Sequence, residues 1–172
     1  TEYKFVRGGL LVQGADDKLS DKMEVVTERN PETLDEALAA FGLVAVRTVK
    51  SNAIVIVERR NDGVLHLLGM GSGQPNRVNS TRLAVERATA TLKGELERAG
   101  TCSEEALRER LGNTYLVSDA FFPFPDSVEI AAAAGVRTFL QPGGSIRDNE
   151  VVAACNRLGV SMVMTGIRHF KH

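Results

Sequence analysis

The sequence predicts an α/β domain, with a mixed sheet and helices on both of its faces, on three observations. Ala53, Ile54, Val55, Ile56 and Val57 form an unbroken apolar, β-branched run, the pattern of a strand buried on both sides. Asn61-Asp62-Gly63 is a turn signal that folds the next run, 64–70, back on it as a hairpin. Through the second half, helix-like and strand-like segments alternate, as they do where helices flank a sheet.

The elements follow in order. Asn30-Pro31-Glu32 reads as a helix start, with an N-cap, a proline at the first helical position and an acid in the first turn. Leu34, Ala37, Leu38, Phe41 and Val44 recur at helical spacing, so this helix is expected over 31–46. After the two strands, 69–77 is expected as a glycine-rich loop and 78–96 as a long helix. A short helix, 103–111, sits in a surface excursion, and a second, 127–134, stops at Gly135. A strand (136–140), a loop (141–145), a helix (148–158) closed by Gly159 and a last strand (160–165) complete the chain. With no repeat, low-complexity run or linker, residues 1–172 are expected to be one domain.

A chain of 172 residues buries a real core, roughly 70% of its unfolded surface. Its 43% hydrophobic and 25% charged residues are ordinary globular material, and a net charge of −1 gives no electrostatic case for nucleic acid. No apolar run approaches the roughly 20 residues of a membrane span, and nothing reads as a signal peptide, so a cytosolic location is expected. Cys102 and Cys155 are expected as free thiols. The first residue is Thr1 rather than methionine, and the expectation is a segment of a longer gene product.

Chemistry concentrates in a few segments. Ser118-Asp119-Ala120-Phe121-Phe122-Pro123-Phe124-Pro125-Asp126 packs three aromatics, two prolines and two acids into one rigid, irregular turn, either a hydrophobic corner or a grip for a flat heterocycle. Gly69 to Arg77 joins a strand to a helix, where glycines allow close backbone approach, a helix N-terminus favours anions and Arg77 offers a fork of donors. The other reading is a tight turn. Asn52 carries an amide suited to a carboxamide or heterocycle, or to simple pairing at a strand edge. Gln141-Pro142-Gly143-Gly144-Ser145 reads as a connecting turn, His66 as structural, and the terminal Arg168-His169-Phe170-Lys171-His172 as a basic tail.

These segments, with Gly8-Gly9-Leu10-Leu11-Val12-Gln13 and Val49-Lys50-Ser51-Asn52-Ala53, occur in an order that resembles the C-terminal part of the bifunctional family joining AICAR transformylase to IMP cyclohydrolase. The resemblance runs from about residue 7 to the end, weakest over 14–30 and 94–114. It implies a three-layer α/β/α, cytidine-deaminase-like unit, the second of a tandem pair, and formyl transfer from 10-formyltetrahydrofolate to AICAR. The same resemblance places Asn52, Arg77, Phe121, Arg168 and His172 at the AICAR nucleotide, Pro123 and Phe124 at the folate, and Asp126 in the site. Ser51 and Asp119 match positions near a monovalent-cation (potassium) site. The chain departs from the family pattern at Pro125, where arginine is usual, and at Ser127, where some relatives carry asparagine. The family's catalytic Lys-His pair lies upstream of this segment and is not Lys171-His172. The family also implies a homodimer with sites shared between subunits. The fold would suggest deaminase zinc chemistry, but neither an H-x-E or C-x-E element nor P-C-x-x-C is present, so no zinc is expected. The competing expectation is a noncatalytic nucleotide-binding or assembly module that lacks the upstream half.

Overall fold

The computed structural model describes residues 1–31 and 33–171. It contains eight strands and five helices among them: β1 (Glu2–Val6), β2 (Gly9–Gln13), β3 (Glu24–Val25), α1 (Glu36–Thr48), β4 (Ile54–Arg59), β5 (Leu65–Gly71), α2 (Arg77–Arg98), α3 (Glu104–Gly112), β6 (Tyr115–Ser118), α4 (Asp126–Ala134), β7 (Thr138–Gln141), α5 (Asp148–Leu158) and β8 (Ser161–Met164). β1 and β2 pair only with each other, while the rest form a six-stranded sheet of order β3-β8-β7-β6-β4-β5. β6, β7 and β8 run parallel, whereas β4 is antiparallel to both β6 and β5. The sheet is therefore mixed, as expected.

Period-two alternation divides the sheet residues between two cores. Ile54, Ile56, Leu116, Phe139 and Met162 point to one face and pack with Ala84, Ala88, Leu92, Val128, Val151 and Cys155, which come from α2, α4 and α5. Val55, Val57, Val117, Leu140 and Val163 point to the other and meet Leu38, Ala39, Leu43 and Val46 of α1. Helices thus lie on both faces, one on the second and the remainder on the first. None of the described helices is long and apolar enough to cross a membrane.

The first helix starts later than expected. Its N-cap is Asp35, whose Oδ1 accepts the Leu38 N–H at 2.9 Å, not Asn30; Glu32 lies outside the described residues. The buried face is also rotated, to Leu38, Ala39, Gly42, Leu43 and Val46, leaving Val44 exposed. Gly42 explains the rotation, because a Cβ there would sit 2.6 Å from Val117 Cγ2 and the helix rests on the sheet at that point. β5 likewise runs on to Gly71, so two glycines expected in a loop belong to a strand. A Cβ at Gly69 would meet the Ala84 carbonyl oxygen at 2.2 Å and one at Gly71 the Ser80 oxygen at 2.0 Å. Those glycines let α2 lie directly on β5, and the connection to α2 is only Ser72 to Asn76.

Candidate functional site

Because β4 runs against β6, its start lies beside the end of β6, with Ile54 opposite Ser118, and Ile54 is also opposite Gly71 at the end of β5. The ends of β7 and β8 align with the end of β6 through the parallel registers. One rim of the sheet therefore collects the segments before β4 and after β5, β6, β7 and β8. Open α/β sheets place ligands at such a rim, outside the carboxyl ends of parallel strands. Asn52, Arg77, Asp119 to Asp126, Gln141 to Ser145 and Arg168 to Lys171 all stand on it.

At its centre lies Arg77, nearly buried at 9% exposure. Its Nη2 donates to Asp119 Oδ1 at 2.6 Å and its Nη1 to the Phe121 carbonyl at 3.2 Å, while Nε is buried without a partner. Asp119 is fully buried, and its Oδ2 also lacks a protein partner. The backbone of Asp119 is tied on both sides: its N–H donates to the Ala53 carbonyl and its carbonyl accepts the His169 N–H. The guanidinium therefore braces the aromatic turn as well as presenting an unsatisfied donor. Asn76 caps α2, its Oδ1 accepting the Asn79 N–H at 2.8 Å.

Asn52 Nδ2 donates to the Gln74 carbonyl at 3.0 Å, which ties the start of β4 to the loop before α2. Ser51 Oγ accepts the Lys171 N–H at 2.8 Å, and the Ser51 N–H donates to the Lys171 carbonyl at 3.0 Å. The C-terminal segment is thus strapped to the rim and is not a frayed tail. Arg168 is exposed, with its guanidinium 5.3 Å from the Phe170 ring centroid; His172 lies outside the described residues.

The three phenylalanines of the turn separate in role. Phe122 is fully buried in the core, Phe121 is half-buried, and Phe124 stands 48% exposed with the Arg147 guanidinium 4.7 Å over its ring. Pro123 is half-buried between them. Pro125 takes the N-cap of α4 at φ −68°, the angle its ring imposes, so the turn accommodates this departure from the family pattern. Asp126 opens α4 on the surface, and its Oδ1 accepts the Ser127 N–H at 3.0 Å; Ser127 itself is buried.

Two rim residues escaped the sequence reading. Gln141, fully buried at the end of β7, accepts the Phe122 N–H on Oε1 at 2.7 Å, and its Nε2 has no protein acceptor. His169 is also buried: its Nε2–H donates to the Leu19 carbonyl at 2.9 Å and its Nδ1 faces both oxygens of Asp16 at 2.9 Å. No spacing rule announces either one, since both act across more than a hundred residues or between adjacent strand ends.

The opposite edge of the sheet has a different character. A cavity of about 420 Å³ there is lined by Glu58, Arg60, Glu95 and Arg110 among others. Arg110 Nη2 donates to both Glu58 oxygens, at 2.7 and 2.8 Å, and to Glu95 at 3.1 Å, while Arg60 pairs with Glu95. These four charges satisfy one another. Nearby, a hydrogen bond from Arg59 holds the Asp35 carboxyl below its ordinary value, and burial raises the Tyr115 phenol. His66 lies on β5, half-buried opposite Glu58, as a structural strand residue. Among the described residues no cluster of three or more His, Cys, Asp or Glu side chains is placed to hold a metal ion.

Comparison with known proteins agrees with the resemblance. The model of the AICARFT/IMPCHase bienzyme family matches residues 1–87. The bifunctional purine biosynthesis protein PurH of Clostridium perfringens is 46% identical over 167 residues, which is 97% of this chain and 28% of that protein. The PurH of Clostridium acetobutylicum is 45% identical over 171 residues, and that of Streptococcus equi subsp. equi 44% over 173, each covering 99% of this chain and 29% of the relative. The chain thus spans less than a third of the length of these relatives. With half of its residues matched by the family model and nearly all of them aligned to PurH proteins, the chain belongs to the AICARFT/IMPCHase bienzyme family.

Proposed function

We propose that this chain is the substrate-binding portion of an AICAR formyltransferase, forming one three-layer, cytidine-deaminase-like unit of a longer cytosolic, homodimeric enzyme. The observation that carries the reading is the single rim that gathers Asn52, Arg77, the 119–126 turn and Arg168 at the carboxyl ends of the parallel strands. In the reaction, the 5-amino nitrogen of AICAR attacks the formyl carbon of 10-formyltetrahydrofolate. The N10–carbon bond then breaks, and the proton lost by the amine ends on N10.

The amine is a poor nucleophile because its lone pair is delocalised into the imidazole, so positioning and oxyanion stabilisation carry the rate. In this reading Arg77, Asn52, Phe121 and Arg168 hold the nucleotide, with the terminal His172, and Pro123 and Phe124 hold the pteridine and aryl rings. Asp126 and His172 orient the reacting groups. A proton acceptor and an oxyanion donor come from the upstream Lys-His pair. The partnerless Asp119 Oδ2 fits a monovalent cation such as potassium, with Ser51 close to the same rim. Its part would be to fix the turn that carries Phe121.

Formyl transfer assayed with this chain alone, and with a separately purified upstream half, tests the proposal. Activity only on mixing supports it; activity from the chain alone overturns the division of labour. Inactivity of the mixture together with nucleotide binding favours the assembly-module reading. Arg77→Ala is expected to weaken AICAR binding by about 1.5–3 kcal/mol, read by titration calorimetry on folded protein.

A further inference from the structure

The hairpin of β1 and β2 carries its hydrophobic side outward. Cross-strand partners share a face, so Tyr3 with Val12 and Phe5 with Leu10 make one side of the ribbon. All four are apolar or aromatic, and they are 64%, 58%, 85% and 45% exposed respectively. The other side is mixed: Glu2, Lys4, Leu11 and Gln13 line a cleft with Lys171, to which Tyr3 also contributes, and Gln13 Nε2 donates to Glu2 at 2.9 Å. A ribbon usually buries its apolar side and wets the polar one; here all ten strand residues are exposed, and the apolar side has no covering among the described residues. A two-stranded ribbon is also marginal unless something packs on it.

We infer that the Tyr3–Phe5–Leu10–Val12 face is a docking surface for the remainder of the family polypeptide, the part of it that lies outside the segment matched by this chain. The length of the relatives supports this occupant, since more than two thirds of each lies beyond that segment. The four side chains carry no charge, so the complementary surface is an uncharged, apolar protein strip. Position adds a second argument. The cleft side of the ribbon abuts Lys171, which is strapped to Ser51, so whatever covers the outer side stands next to the rim that carries Asn52 and Arg77. The inference rests on the family assignment and not on formyl transfer, and its test reads burial only.

Phe5→Cys in a Cys102→Ser background places one reporter thiol on the ribbon, because Cys155 is buried. Labelling by a maleimide is compared in this chain and in a polypeptide that joins it to the unmatched parts of the Clostridium perfringens PurH protein. The expected result is rapid, concentration-independent labelling in the chain and at least about tenfold slower labelling in the joined protein, the protection of a site that opens only by local unfolding. Equal rates with Cys155 unreactive overturn the inference. Protection that develops in the chain alone as concentration rises also overturns it, in favour of a second copy as occupant. If Cys155 reacts in the joined protein, that protein is misfolded, and the comparison is made in trans with the separately produced remainder; protection supports the inference and its absence overturns it. Tyr3→Cys serves as a second reporter on the same face.

Discussion

The Arg77 guanidinium donates to Asp119 Oδ1 at 2.6 Å inside the protein, joining the first turn of α2 to the end of β6. Removing one partner of a buried pair strands the other charge, at a cost of about 3–5 kcal/mol. Asp119→Ala is therefore expected to lower the urea midpoint sharply at constant m-value. A shift within about 0.5 kcal/mol would mean that water already solvates Arg77.

Gln141 should matter for the position of the aromatic turn. Gln141→Met keeps the volume and removes the acceptor of the buried Phe122 N–H, a loss of about 1–3 kcal/mol. Under the proposed formyl transfer, the expected signature is a raised KM for the formyl donor with kcat little changed, because Phe124 is displaced and no reacting atom is touched. Unchanged stability and KM would reduce Gln141 to filler.

Two glycines, Gly71 of β5 and Gly94 of α2, should respond in opposite directions. Gly71→Ala drives a Cβ into the Ser80 backbone of α2, which cannot yield without lifting the helix from β5, so a loss of about 3 kcal/mol or more is expected. Gly94→Ala lies in the same helix with only the Arg98 Nη1 near, at 3.5 Å, and is expected to gain about 0.5–1 kcal/mol from helix propensity. Chemical denaturation of the two variants side by side checks both signs.

Asp35 gives a pH dependence with a definite direction. Arg59 holds its carboxyl below the ordinary 3.8, against desolvation, so its contribution is full above 3.8 and is lost as pH falls through the lowered value. Asp35→Asn keeps an N-cap acceptor and removes the charge. The variant is expected to be less stable near neutral pH by under about 1 kcal/mol, as a partly exposed pair allows, and to converge with the parent in acid. Urea midpoints of both proteins across an acid titration measure the convergence; a gap independent of pH would assign the loss to the cap.

Much of this fold could be read from residues that act locally. The 53–57 run, the Asn61-Asp62-Gly63 turn, and the glycines after α4 and α5 declare their elements because propensity and burial agree there. Misplacements occurred where tertiary contact decided the outcome. Asn30-Pro31 is a good helix start, yet Asp35 prevails because it also pairs with Arg59 and its N–H donates to the Tyr115 hydroxyl at 2.9 Å. The two-residue β3 exists only because β8 lies beside it. The hairpin of β1 and β2 was not expected: residues 8–13 figured only in the family resemblance, and the apolar residues do not alternate cleanly across Leu10, Leu11 and Val12. Of the site, the turn and Arg77 stood out by composition, whereas Gln141 and His169 acquire their roles from strand ends and a segment near residue 16 brought together in space.

The reversed direction of β4 has a mechanical consequence. Four residue pairs, from Ile54 with Ser118 to Val57 with Tyr115, stitch the β4–β5–α2 flank to the parallel trio, and the rim straddles that seam with Asn52 and Arg77 on one bank and the 119–126 turn on the other. The Arg77–Asp119 pair is the rivet at its end. Pulling the flank away would part the core and split the candidate site in one movement, so the strength of the seam sets how long both halves of the rim stay in register.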